Sequence, residues 1–248
     1  YANDESDESK QLISVVSAGK GAENSYWGCM NFSFYDIRRK VCRMKQAGRG
    51  GLGTVLRDKK IKAIVAKVET FSGITNNPAD PNAIAEVGTK LHREVRDLDR
   101  YQCNMRAVGT AHLAEIMDEY DLLPCENYRF GSFPKASKIY SPKFFKYFTK
   151  IIPDGCWHGC TMACAKTVDG FEIKTGPYKD DKATVDGPEY ETVGCGANMS
   201  LWDPEQILEF NFYCDTYGLD TISTGTAIAF YMEMYEYGIL NKERCGGL

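Results

Sequence analysis

No apolar run in the sequence approaches ~18 residues, so no membrane-spanning helix is expected. No excess of one charge is present either: 30 Lys and Arg stand against 34 Asp and Glu, a net charge of −4. That leaves no electrostatic footprint for nucleic acid or for an anionic membrane surface. Histidine is scarce, at three residues, and no pair of them sits at zinc-ligand spacing beside the cysteines. No signal-peptide pattern, repeat or low-complexity segment is read.

What remains is an ordinary globular composition, 43% hydrophobic and 26% charged over 248 residues. That length suits one large domain or two small ones. The ten cysteines need an explanation. Secreted disulfide scaffolds are usually shorter and denser in Cys. Here Cys156, Cys160 and Cys164 cluster, whereas Cys29, Cys42, Cys103, Cys125, Cys195, Cys214 and Cys245 are scattered. The scattered ones read as small core residues. One ligand cluster among core thiols fits a reduced cytoplasm. The sequence opens at Tyr1 rather than Met and stops at Leu248 after a helical pattern, so an internal fragment of a longer polypeptide is expected.

Residues 1–10 are acidic and polar, a loop or helix end. Residues 12–16 read as a short strand turned by Gly19-Lys-Gly21. A glycine-rich loop, Gly48-Arg-Gly-Gly-Leu-Gly53, precedes residues 59–68, whose Ile61, Ala63, Ile64 and Val65 suggest a buried strand. Residues 71–81 form a turn-rich linker and a domain boundary. Beyond it, residues 83–98 carry apolar positions at helical spacing, and Leu113, Ile116, Met117 and Tyr120 repeat that spacing. Residues 125–142 look like loop, and the aromatic stretch 144–152 is expected to pack on the core. Asp203-Pro204 is a strong helix start, and Gly218 a strong stop. Another helix is expected over residues 223–237. The fold class is α+β: a β-rich piece over residues 1–72, then a largely helical one over 73–248.

Thiolates are soft ligands that suit zinc or an iron–sulfur cluster. Cys156, Cys160 and Cys164 therefore read as metal ligands, the alternative being three small residues on one face of a helix at i, i+4, i+8. His158 reads as structural, or as a hydrogen-bond donor to a cluster. The glycine loop could bring backbone N–H groups to phosphates, with Arg49 or Lys45 supplying charge. It has neither the Walker pattern nor the dinucleotide fingerprint. Glu189 and Glu191 would share a face if extended, and two carboxylates in a dry site suit acid–base chemistry; an ordinary solvent-facing pair is the other reading. Asp215 and Asp220 flank Gly218-Leu219 at a helix C-terminus, where the dipole disfavours them unless a donor compensates. Salt bridges or solvation could do the same.

Taken together, the motifs resemble the tungsten-containing aldehyde:ferredoxin oxidoreductase family over nearly the whole chain. The resemblance rests on Gly19-Lys-Gly-Ala-Glu-Asn24, Ala47-Gly-Arg-Gly-Gly-Leu-Gly53 with Lys59-Lys-Ile-Lys-Ala-Ile64, Gly109-Thr-Ala111, Gly187-Pro-Glu-Tyr-Glu191 and Cys214-Asp-Thr-Tyr-Gly-Leu-Asp-Thr-Ile-Ser223. It implies a β-rich cofactor-base domain followed by largely helical domains. It also implies a tungsten or molybdenum atom held by two pterins, a [4Fe–4S] cluster, and oxidation of aldehydes to carboxylic acids with ferredoxin or a similar carrier as acceptor. Cys156, Cys160 and Cys164 would be cluster ligands, with three residues between the first two where the family commonly has two. Asp215, Leu219 and Asp220 fall on a pterin-binding motif, and Glu191 on a carboxylate near the metal. Lys45 and Gln46 stand where the family has Arg-Ala near the pterin phosphates, with Arg49 close by. Lys keeps the charge and loses the bidentate grip.

Glu209 matches the Glu of a Glu-x-x-His subunit-bridging iron site, but Phe212 replaces the His, so no such iron is expected. Residues 171–186 read as an insertion near the site that could alter substrate access. A fourth cluster cysteine, a second pterin motif and a catalytic His would lie on other parts of the polypeptide. Relatives acting on 2-hydroxy or 2-oxo acids or on aromatic CoA thioesters keep the substrate open, and a homo-oligomer stays open too. The reading from another class is a non-catalytic iron–sulfur or zinc-stabilised module. The paired aspartates and Gly-Pro-Glu-Tyr-Glu argue against that, because a zinc module has no need of them.

Overall fold

The structure is a computed structural model that describes residues 4–69, 78–102, 104–149, 154–156 and 160–247. The segment read as a domain boundary falls largely outside them, as do Cys103 and His158. A short helix, α1 (Asp7–Gln11), leads into a four-stranded antiparallel sheet built from β1 (Ile13–Ala18), β2 (Met30–Asp36), β3 (Val41–Ala47) and β4 (Ala63–Lys67). The strand order is β3-β2-β1-β4. Between β3 and β4 lies α2 (Leu52–Asp58), a helix the sequence pattern did not suggest.

The strand expected near residues 59–68 exists, but it is not buried. Every residue of β4 is exposed, Ile64 at 54%. The physical reason is position: α2 packs against β1 and β2, while β4 is the sheet's outer strand.

The helical part begins with α3 (Pro81–Tyr101) and the short α4 (Met105–Val108) and α5 (Leu113–Glu119). Asp80 caps α3, accepting from the amides of Asn82 and Ala83 at 3.0 Å each. Asp80-Pro81 is therefore a helix start of the same kind as Asp203-Pro204, not linker. The short α6 (Ser141–Phe144) comes next. A hairpin of β5 (Thr167–Glu172) and β6 (Lys182–Asp186) forms the segment read as an insertion. The chain continues through α7 (Tyr190–Asn198), α8 (Pro204–Tyr217) and α9 (Thr221–Glu236).

The apolar core sits here rather than under the sheet. Leu123, Ile139, Phe144, Ile173, Ile207 and Leu208 are all fully buried in one cluster. Each such side chain contributes roughly 1.5–3 kcal/mol by leaving water. Of the scattered cysteines, Cys29, Cys125, Cys195 and Cys214 are buried as expected, whereas Cys42 is exposed and Cys245 partly so. Cys42 departs from the expectation because it lies on β3, the other outer strand of the sheet.

Two seams join the sheet to the helices. One is a close backbone crossing. The amide of Cys29 donates to the Gly218 carbonyl at 2.7 Å, and that of Asp220 to the Trp27 carbonyl at 3.1 Å. Gly218 ends α8 at φ 65°, and a Cβ on Gly19 would lie 2.2 Å from the Tyr217 carbonyl oxygen, so both positions require glycine. This crossing fixes the α8–α9 junction against the β1–β2 connection. The other seam is ionic. Arg39 reaches Asp36 at 2.8 Å, Asp154 at 2.9 Å and Asp169 at 3.0 Å. Arg43 adds Asp36 at 3.0 Å and the Thr167 hydroxyl at 2.8 Å. It ties the β2–β3 hairpin to Asp154, next to the first cysteine of the thiol segment, and to β5.

Candidate functional site

Where the end of β3, the glycine loop, the start of α7 and the α8–α9 junction meet, they enclose a cavity of about 490 Å³. Lys45 and Gln46 reach it from β3 and Arg49 from the loop. Glu189 and Glu191 come from the start of α7, and Asp215, Leu219 and Asp220 from the α8–α9 junction. Cys156 adds to its wall. Every site residue expected from the sequence lines this one cavity except Cys160 and Cys164.

The local geometry corrects two expectations. Asp220 does not face a helix C-terminus: it is the N-cap of α9, which begins at Thr221 rather than near 223. Its carboxylate accepts from the Ser223 amide at 3.2 Å and the Ser223 hydroxyl at 2.7 Å. It therefore sits at the favourable end of the dipole, and such a cap contributes about 1 kcal/mol. Nor are Glu189 and Glu191 on a strand. Glu191 lies in the first turn of α7 and Glu189 is the residue before it. They converge on the cavity because a helix start brings both to the same opening.

Arg49 bridges two of these groups. Its Nε donates to Asp220 at 2.6 Å and its Nη2 to Glu191 at 2.8 Å. Desolvation opposes its charge, but the two carboxylates outweigh that and raise its pKa. Desolvation likewise pushes the Asp220 carboxyl up, and the bonds from Ser223 and Arg49 overcome it and hold the pKa low. With these donors and the Ile222 amide at 3.4 Å, Asp220 has little acceptor capacity left.

Asp215 is the opposite case. It lies in the last turn of α8, deep in the protein with part of its surface open to the cavity. Among the described residues, the one hydrogen bond to its carboxylate comes from the Asn211 side chain at 3.2 Å. Desolvation, together with the nearby charges of Asp186, Glu191 and Glu189, drives its pKa well above the ordinary carboxylate value, with Lys45 pulling the other way. Lys45 is itself engaged by Asp186 at the end of β6. Glu189 is half-buried, and desolvation and then the charge of Glu191 raise its pKa. The Nε2 of Gln46 is buried and has no hydrogen-bond partner among the described residues.

The thiols do not lie on a helix: residues 160–164 are irregular, with Ala163 at a left-handed φ of 44°. The reading as three small residues on one helix face is thus set aside. All three are free thiols, Cys156 exposed and Cys160 and Cys164 partly buried. Burial pushes the Cys164 thiol up, and the charges of Glu189, Cys160 and Cys156 add to it, so the three thiols and the cavity carboxylate share one electrostatic neighbourhood. Among the described residues, no three Cys, His, Asp or Glu side chains converge on a single ion position.

Some participants were not anticipated. Asn211 lies one helical turn before Asp215, a spacing that could have revealed the pair. Asp186 and the Arg39–Asp154 contacts carried no sequence signal, because the partners lie more than a hundred residues apart in sequence. The Glu209 carboxylate accepts from the amides of Lys174 and Thr175 at 2.9 Å each, so it anchors the tip of the hairpin that follows the thiols.

Residues 86–248 match the family described as aldehyde ferredoxin oxidoreductase, domains 2 & 3. The chain is 32% identical over 208 residues to the tungsten-containing aldehyde ferredoxin oxidoreductase of Pyrococcus horikoshii, covering 82% of this chain and 31% of that protein. The protein of the same name from Pyrococcus abyssi matches with the same identity and coverage. The WOR-like subunit of the aliphatic sulfonate oxidoreductase of Pyrococcus furiosus is 29% identical over 234 residues, covering 94% of this chain and 34% of that subunit. The chain thus spans about a third of the length of the curated relatives it matches. The family match covers more than half of the chain, and residues of three motifs that suggested the family, Ala47–Gly53, Gly187–Glu191 and Cys214–Ser223, line one cavity: the chain belongs to the aldehyde ferredoxin oxidoreductase family.

Proposed function

We propose that this chain supplies one side of the site of a cytoplasmic tungsten (or molybdenum) bis-pterin, [4Fe–4S] oxidoreductase that converts aldehydes to carboxylic acids and passes electrons to ferredoxin or a similar carrier. In this reading residues 1–72 belong to the cofactor-base domain and 73–248 to the helical part. The observation that carries it is the convergence of Lys45, Gln46, Arg49, Glu191, Asp215, Leu219 and Asp220 on a single cavity. The names of the relatives support tungsten, aldehyde and ferredoxin.

The residues fit a pterin. An amide nitrogen without an acceptor, on Gln46, and a carboxyl with one weak donor, on Asp215, are what a ring bearing both N–H groups and acceptor nitrogens would satisfy. Asp215 is the open acceptor; Asp220 could take a ring donor only as Arg49 lets go. The thiols fit a cluster better than one zinc ion. Each iron of a cubane takes one thiolate, so its ligands are spread around a volume rather than meeting at a point. Cys156, Cys160 and Cys164 would supply three of the four.

A tungsten–pterin held by Gln46, Asp215 and Asp220, with a cluster held by the three cysteines, would supply two-electron oxidation and one-electron transfer onward. The chain's own groups handle protons and orientation. Aldehyde and water yield the acid, two electrons and two protons, so a proton acceptor is required. Arg49 fixes and aims Glu191 through their 2.8 Å contact, which suits orienting water or substrate. Glu189, with its raised pKa and no ion pair among the described residues, suits carrying the proton. The β5–β6 hairpin delivers Asp186 to the cavity wall and so bears on substrate access.

Metal and pterin analysis of the anaerobically purified full-length protein tests the reading. Tungsten or molybdenum with about four irons is expected; zinc alone, without pterin fluorescence after oxidation, would sink it. A second substrate class has one observation in its favour, since the sulfonate relative covers 94% of the chain. Turnover with an aldehyde and not with an aliphatic sulfonate separates the two.

A further inference from the structure

Lys166 is a buried ammonium, 8% exposed, two residues beyond Cys164. Its Nζ donates to the carbonyls of Arg106 at 2.9 Å, Ala165 at 3.1 Å and Ala163 at 3.2 Å. These acceptors use its three protons and are all neutral. Among the described residues no carboxylate pairs with it at ion-pair distance, and two of its three acceptors are carbonyls of the turn that carries Cys164.

The surroundings are shaped to keep it there. Ala163 is left-handed, a conformation unfavourable for a residue with a Cβ, and the turn aims its carbonyl at the ammonium. At Gly109, φ 72°, a Cβ would lie 2.8 Å from Lys166 Cγ and 3.0 Å from the Cys164 carbonyl oxygen. The backbone carbonyl of Lys166 takes the Gly187 amide at 2.7 Å, which ties the turn to the segment bearing Glu189 and Glu191.

A buried cation that meets only carbonyl dipoles has its hydrogen bonds satisfied and its charge uncompensated. If its task were only to clamp the turn, a neutral donor would do so without that desolvation cost. The missing compensation is a negative charge beside Cys164. A [4Fe–4S] cluster ligated by thiolates carries one, and net charge is among the factors that set its potential.

We propose that Lys166 is the fixed counter-charge of the cluster bound by Cys156, Cys160 and Cys164, and that it makes reduction of that cluster easier. This rests on the cluster reading given above. Lys166 is a positioning and tuning residue: it touches the turn that carries a ligand and acts on the cluster through its charge.

The test is a potentiometric titration of the full-length enzyme, followed by the EPR signal of the reduced cluster, with iron and sulfide counted in the same samples. Lys166→Met keeps the length and removes the charge. Reduction should become at least about tenfold less favourable, a fall of about 59 mV for one electron. Lys166→Arg restores the charge and should recover most of that shift. Should Lys166→Met lose the cluster, retention of it by Lys166→Arg supports a need for charge, and loss in both variants overturns the assignment in favour of a packing role. A Lys166→Met protein with full iron content and an unchanged midpoint also overturns it. An unmodified enzyme without any iron–sulfur signal fails the cluster reading itself, and the charge assignment with it.

Discussion

Asp36 and Asp215 both sit where water has little access, yet their surroundings drive them in opposite directions. At Asp36 desolvation raises the pKa, but hydrogen bonds from Arg39 and Arg43 outweigh it and leave the value at about 2. At Asp215 desolvation is joined by three neighbouring carboxylates, and the pKa rises well above normal. The first belongs to a seam in which each buried carboxylate meets guanidinium groups. The second belongs to a cavity in which the nearest cation, Lys45, is already taken by Asp186. A protein that can pair its buried charges so completely on one side, and leaves an acceptor open on the other, has an opening suited to a donor from outside the chain.

Breaking the seam should give the largest effect on stability. Arg39 is 6% exposed at its side chain, and Asp36 and Asp154 are 2% and 5% exposed. Arg39→Met takes one guanidinium from both carboxylates, which keep Arg43 at 3.0 and 3.3 Å, and loss of a hydrogen bond to a buried charge costs about 1.5–3 kcal/mol. Urea unfolding measures it directly. A change below about 1 kcal/mol would mean that the seam behaves as a surface ion pair.

Asp215→Asn should do the reverse. The native state holds its proton more tightly than the unfolded chain, so this group lowers stability as pH rises from the ordinary value of 3.8 through the raised one. Asp36 has the other sign: its contribution is present above 3.8 and is lost as pH falls towards about 2. Without cofactor, Asp215→Asn should therefore be more stable than the parent protein at neutral pH, and the gain should vanish below pH 3.8. In the full-length enzyme the same substitution should lower pterin content. Equal stability across the whole pH range would show that Asp215 carries no burial penalty.

The seam and the cavity also differ in how much of them could be read from the sequence. Helix α8 was fully legible because Asp203, Pro204 and Gly218 each dictate backbone geometry locally. Asp80-Pro81 holds the same information, but the turn residues just before it masked the start. Asp220 was misassigned because a single stretch closes one helix and opens the next within two residues, and Gly218 announces only the closing. The seam was illegible since ion pairing has no period and Arg39 and Asp154 lie far apart in the chain. Convergence on the cavity came through the family resemblance: spacing alone places no residue of β3 beside one of α8. Exposure of β4 was invisible for a related reason, as an apolar run looks the same on an outer strand as on a covered one.

The smallest effects on stability, and the sharpest on turnover, should come from the two glutamates of the cavity wall. Burial, and then the charge of Glu191, raise the pKa of Glu189, so Glu189→Gln removes a charge that its surroundings disfavour and should leave folding nearly unchanged. Glu191→Gln gives up the 2.8 Å contact with Arg49, whose side chain is 49% exposed, and should cost less than about 1 kcal/mol. Their kinetics should part company. Glu191→Gln is expected to keep tungsten and iron while turnover is abolished, since the amide cannot hold the negative charge that Arg49 orients; full metal loss would contradict that role. Glu189→Gln should cut kcat by about 10²–10⁴ and remove the limb of the pH profile that a proton carrier sets. If that limb survives, Glu189 is a wall of the cavity, and the proton leaves by way of Glu191.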